Sequence, residues 1–246
     1  MTDAPEGRAG RRAVVRSALL EACGVPGLVL GASFLGFGSL VRESGYGLWM
    51  ALAATATGWA LPGQIAMVEL MAVGTPLLLV CMAVALTNAR LMPMTVALMP
   101  WLRRPGTPAW RYYAAAHLIA VTSWANAMRI CPTLPQEYRL AWFGTFAVSL
   151  WAVTLVTTAA GYFLAGVVPQ AVTLALVFLN PVYFMLIFAA DLRQRAKSLA
   201  LVFGAVLGPL FHLVHPDWGL LATGLVAGTL AFLAERHLKA REAGRG

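Results

Sequence analysis

The chain has 246 residues, of which 60% are hydrophobic and only 11% charged, and its formal net charge is +8. Soluble domains carry about 25% charged residues, so the composition excludes an ordinary soluble domain and predicts an integral membrane protein. The positive charge does not mark a nucleic-acid partner, because the basic residues flank apolar segments and no aromatic side chains interleave with them for base stacking.

Charges are excluded from long blocks. Residues 44–102 hold two, Glu69 and Arg90, and residues 140–190 hold none. This distribution predicts an all-α integral membrane protein with seven or eight transmembrane helices, some of them broken. Residues 1–16 read as a disordered cytoplasmic basic tail, residues 17–236 as the polytopic transmembrane domain, and residues 237–246 as a second cytoplasmic basic tail. The basic start followed by an apolar run resembles a secretory signal. No small-x-small cleavage site precedes a soluble domain, however, so it is read as a retained first span.

In chain order, the first apolar segment covers 18–41 and is rich in glycine, which lets helices approach closely. The second covers 47–72 and is interrupted at Pro62-Gly63. The third covers 75–101, ending near Pro93 and Pro100. After a basic, Pro-rich loop comes a fourth segment, 112–130, the least hydrophobic, carrying His117, Ser123, Asn126 and Arg129. The fifth (140–163) is uninterrupted. The sixth (170–190) carries Asn180-Pro181, the seventh (198–214) Pro209 and His212, and the eighth (218–235) ends in the basic tail. Eight spans place both termini and the loop at 193–197 in the cytoplasm, as basic residues require. Arg103 and Arg104 then fall outside, and a re-entrant segment in place of one span would remove the conflict. A glycine-rich span precedes a broken one twice, Gly36/Gly38 before Pro62 and Gly161/Gly166 before Pro181. This frames a candidate internal repeat of the kind that binds substrate between paired broken helices in secondary transporters. Chance competes with it, since Gly and Pro are common in transmembrane helices.

The polar residues at membrane depth are the candidate site. Proline removes an amide donor, so a helix restarting at Pro62-Gly63-Gln64 presents open N–H groups that suit a carboxylate, with Gln64 adding a donor or acceptor. A repaired proline kink is the competing account. Glu69 pairs with Arg90, the first-ranked reading, or accepts a substrate ammonium or coupling proton. Asn88 and Arg90 point to different sides of one helix. Asn88 is the better cavity residue, while Arg90 is near enough to the loop to snorkel. Asn126 and Arg129 share a face, and Asn180 before Pro181 repeats the break-plus-amide pattern. Asp191 with Arg193 and Arg195 reads as an interfacial cluster. His212 and His215 lack a completing metal ligand, so neither a metal nor another cofactor is expected. Cys23, Cys81 and Cys131 have no paired spacing and read as small buried residues.

At these residues the chain resembles the AzlC family, the large subunit of bacterial branched-chain amino-acid exporters. The resemblance is carried by Pro26 with Phe34-Leu35-Gly36-Phe37-Gly38, by Pro62-Gly63-Gln64, and by Asn88-Ala89-Arg90 with Pro100 beyond. Three features depart from the family: Thr122-Ser123-Trp124 lacks its acidic pair, Leu61-Pro62 replaces small residues, and Leu91 replaces a usual His. The resemblance implies a multi-pass protein of the bacterial inner membrane that exports branched-chain or similar apolar amino acids. It also implies a small AzlD-like membrane subunit as partner, besides the amino-acid substrate and membrane lipid. The substrate-binding residues expected are Pro62, Gly63, Gln64, Glu69, Asn88, Arg90, Asn126 and Asn180. A non-transporting assembly subunit is the alternative, and a membrane-embedded enzyme stands further back for want of clustered acids or histidines; no enzymatic activity is expected.

Overall fold

The computed structural model describes residues 4–167, 169, 171–178, 182, 185, 195–214 and 216–243. Regular structure among them is helical, with no strand. The chain divides into two compact units, Met1–Pro181 and Val182–Gly246. The first holds α1 (Ala4–Ala22), α2 (Val25–Glu43), α3 (Leu48–Gly58), α4 (Leu61–Ala72), α5 (Leu77–Asn88) and α6 (Leu91–Leu102). It continues through α7 (Ala109–His117), α8 (Val121–Ile130), a 3-10 turn (Cys131–Thr133) and α9 (Gln136–Leu164). The second unit holds α10 (Arg195–Val214) packed on α11 (Pro216–Ala243), with Ala227 and Ala231 buried.

Helix α9 organises the first unit. It has 29 residues, is about 44 Å long at 1.5 Å per residue, and packs against α1, α2, α3, α6 and α8. The α2–α9 crossing is close because both helices present glycine there. A Cβ on Gly38 would run into the Thr158 carbonyl, and one on Gly161 into the Leu35 carbonyl. Around the crossing, Phe34, Phe37, Trp142, Phe143, Phe146 and Leu150 are all buried in one cluster. Trp142 and Phe146 stack with ring centroids 5.0 Å apart, and Phe34 meets Phe37 edge-on at 6.1 Å.

The N-terminal segment expected to be disordered is helical from Ala4. Val14, Ala18 and Ala22 recur every fourth residue, are buried, and give α1 an apolar stripe against α9, while Arg11, Arg12 and Arg16 stay exposed. Arginine content alone misleads here because the stripe needs only small side chains.

Among the described residues, two helices, Val25–Glu43 and Gln136–Leu164, are long and apolar enough to cross a membrane. The pair Leu77–Asn88 and Leu91–Leu102 adds a third crossing if it forms one span, bent by 44° at its break. The other expected spans of the first unit are cut into shorter helices than the sequence suggests. The second expected span is broken at Trp59–Ala60 rather than at Pro62-Gly63, which lies in the first turn of α4. Proline cannot donate to the carbonyl four residues earlier and its ring clashes there. Helix α3 therefore stops at Gly58, four before Pro62, and α5 stops just short of Ala89, four before Pro93. The fourth segment has no proline and still breaks between His117 and Val121. There the Ser123 hydroxyl accepts from the Ala120 N–H at 2.9 Å and donates to the Leu118 carbonyl at 2.8 Å, a local alternative to helix pairing.

Cys23 and Cys81 are exposed, against expectation, and only Cys131 is buried. Cys81 shares the outer surface of α5 with Leu77, Leu78, Leu79 and Met82. An apolar segment with an outward apolar face need not bury its small residues.

Candidate functional site

The break between α3 and α4 gathers polar groups from three helices. Gln64, at the start of α4, is 3% exposed, and its Nε2 donates to Thr55 Oγ1 of α3 at 3.4 Å. Thr55 Oγ1 lies 3.2 Å from Thr158 Oγ1 of α9. One turn earlier on α9, Thr154 accepts a hydrogen bond from Trp59 Nε1 at 3.0 Å. These threonines are fully buried, and none of the groups is charged. On the α3 side, the Ala56 carbonyl is met by His117 Nε2 at 2.9 Å and Trp151 Nε1 at 3.3 Å, so an acceptor freed near the helix end is satisfied by α7 and α9.

On the α4 side, Gln64 N–H reaches the Ala60 carbonyl at 3.1 Å, Pro62 has no N–H, and the amides of Leu61 and Gly63 have no intrahelical acceptor. The side-chain amide of Asn88, from the end of α5, lies against Gly63: a Cβ there would stand 2.6 Å from Asn88 Oδ1. Only glycine allows this approach. Two oxygens at this helix start, Gln64 Oε1 and Asn88 Oδ1, are enclosed without a hydrogen-bond partner. Buried acceptors are ordinarily satisfied, and open ones in a folded protein call for an explanation such as a ligand.

The structure thus brings Pro62, Gly63, Gln64 and Asn88 together. Glu69 is exposed, and it does not pair with Arg90, which corrects the first-ranked reading of both residues. They are carried on α4 and on the junction after α5, where the 44° bend redirects the chain. Arg90 is half-buried with its Nε unpartnered. Elsewhere among the described residues, Arg129 forms an ion pair with Glu21 of α1. Asn126 is buried and each end of its amide has a local partner, Nδ2 donating to the Thr122 carbonyl at 3.0 Å and Oδ1 accepting from Arg129 at 3.0 Å. Asn126 and Arg129 do share a face. Asn180, Pro181, Asp191, Arg193 and His215 lie outside the described residues, as do the side chains of Arg195 and His212.

Sequence reasoning missed Thr55, Trp59, Thr154, Thr158 and the contact of His117. Threonine is unremarkable in an apolar helix, although Thr154 and Thr158 do lie four apart on one face of α9, a legible signal. It also missed Thr122 and Trp124, whose Oγ1 and Nε1 are enclosed and unpartnered at the start of α8.

Comparison with protein families matches the family described as AzlC protein over residues 27–168, more than half of the chain. The matched region runs from the first turn of α2 to just past α9 and contains the whole arrangement at the α3–α4 break. Neither the comparison with curated proteins nor that with solved structures gave a significant match. On this match, and with apolar helices suited to a bilayer, the chain belongs to the AzlC family, a family of membrane transport proteins.

Proposed function

We propose that this chain is the large subunit of a secondary transporter that exports branched-chain or similar apolar amino acids across the bacterial inner membrane by alternating access. The observation that carries the reading is the enclosed, open-ended amide pair, Gln64 and Asn88, at the restart of a broken helix. Broken helices tolerated at membrane depth line cavities, and their N-termini favour anionic groups such as a substrate carboxylate. The neutrality of the surrounding groups suits a zwitterion. The substrate class and a small AzlD-like membrane subunit as partner belong to the proposal and rest on the resemblance to the family. In this reading α3–α4 and α5–α6 act as broken membrane segments of a seven- or eight-span protein.

Counterflow tests it. Proteoliposomes holding the chain, with the small subunit, are loaded with unlabelled leucine, valine or methionine and given labelled substrate outside. Saturable accumulation is expected. A flat trace across a broad amino-acid panel, with insertion verified, would defeat amino-acid transport and favour an assembly role.

A further inference from the structure

The Gln64 amide is held at one end and open at the other. Its Nε2 is tied to Thr55 Oγ1 at 3.4 Å, and Thr55 Oγ1 is in turn 3.2 Å from Thr158 Oγ1. Its Oε1 is enclosed and has no partner. Gln64 is 3% exposed and both threonines 0%, so the open oxygen is shut off from bulk solvent. The three side chains come from α4, α3 and α9, and each hydroxyl has one proton to give. When Thr55 gives its own proton to Thr158, one of the two directions the 3.2 Å contact allows, its oxygen can only accept from Gln64, and the amide oxygen is the end left over. That end is an acceptor.

We propose, resting on the transport reading above, that Thr55 and Thr158 are positioning residues that hold Gln64 so that its oxygen accepts a hydrogen bond from the ammonium group of the transported amino acid. The acceptor is uncharged, and among the described residues no carboxylate belongs to this cluster. Selection at this point therefore works through N–H donors on the substrate rather than through its net charge. An amine that keeps its positive charge but has lost its N–H groups leaves the buried oxygen open and is refused. The amides of Leu61 and Gly63 at the α4 start are chemically suited to the carboxylate at the substrate's other end.

The test measures labelled leucine counterflow in proteoliposomes of the full chain with its small subunit, in competition with N,N,N-trimethylleucine and with leucine methyl ester. Wild type is expected to prefer leucine over the trimethyl compound by at least about tenfold, the scale of one lost hydrogen bond to a charged donor. Thr55→Val removes the anchor of Nε2 and lets the amide turn, so this preference should fall to within about threefold of unity, while Thr55→Ser restores it. Thr158→Val, one step further from the amide, is a second variant and should move the same ratio in the same direction. A purely structural role would lower all uptake and leave the ratio unchanged, and that result overturns the inference alone. Loss of discrimination against the ester in place of the trimethyl compound also overturns it, because the amide would then present its nitrogen. Wild-type vesicles that accumulate no amino acid would overturn the transport reading, and the inference with it.

Discussion

The side-chain amide of Asn88 lies against the Cα of Gly63, so that a Cβ at position 63 would stand 2.6 Å from Asn88 Oδ1 and 2.8 Å from Nδ2. This contact couples the end of α5 to the first turn of α4. Gly63→Ala should therefore displace the amide and lower counterflow by about tenfold or more, even though alanine is the better helix former by about 0.5–1 kcal/mol. The steric origin is checked by a double-mutant cycle. Gly63→Ala combined with Asn88→Ala should transport no worse than Asn88→Ala alone, because the clashing group is gone.

Gln64 separates function from stability. Its oxygen is buried and open, so replacing the residue by leucine removes an unsatisfied acceptor together with its amide. Gln64→Leu should retain thermal stability in detergent to within about 1 kcal/mol while abolishing most substrate accumulation. Equal loss of folded protein and of transport would indicate a packing role only.

The α2–α9 crossing is the opposite case. Gly161→Val places side-chain atoms against the Leu35 backbone, which cannot move aside without parting the helices. Overpacking of this kind costs about 1–3 kcal/mol or more, and the expected readout is a lower melting temperature and reduced yield of inserted protein. Gly144, with open space around its Cα, should accept alanine without penalty and serves as the control.

Cys131 follows α8 and is fully buried. Burial pushes its thiol up from the ordinary value near 9 to about 11, against a smaller lowering effect of Arg139. At pH 8 only about one thiol in a thousand is then the reactive thiolate. Maleimide should label exposed Cys23 and spare Cys131 in the folded protein, with Cys131 labelling appearing on unfolding. Because the folded-state value is raised, this group's contribution to stability is full below pH 9 and fades as pH rises toward 11.

The Arg129–Glu21 pair joins α8 to α1 with the Arg129 side chain 63% exposed. An ion pair so open to solvent is worth no more than about 1 kcal/mol, so Glu21→Gln should shift thermal stability little. Arg129→Ala should cost more than Glu21→Gln, since it also removes the 3.0 Å donor to buried Asn126. Melting curves of the two variants decide the order.

Much of the site was legible in the chain. Pro62-Gly63-Gln64 and Asn88 stand out because polar groups and prolines in an apolar block have few reasons to be there. Their pairing did not follow from the chain. The reading that joined Glu69 to Arg90 chose partners by opposite charge, whereas the fold joins Gly63 to Asn88 by the fit of an amide over a residue without a side chain. The interrupted segments were visible too, but two breaks fall about four residues before Pro62 and Pro93 rather than at the proline, while α6 runs on through Pro100 instead of ending there. The break before α8 has no such marker. It depends on which backbone groups the Ser123 hydroxyl takes, a competition the sequence leaves open.

By itself the sequence determined an apolar, all-helical membrane chain of this family, because hydrophobic blocks, charge exclusion and helix breakers are properties of contiguous residues. Which side chains meet was decided only by the tertiary structure. Thr55 and Thr158 are 103 positions apart and individually unremarkable, and with Gln64 they become one hydrogen-bonded set because α9 packs beside α3. Hydrogen bonds between segments depend on distances of about 3 Å that no local propensity encodes, so packing orients the Gln64 amide and leaves its oxygen enclosed without a partner.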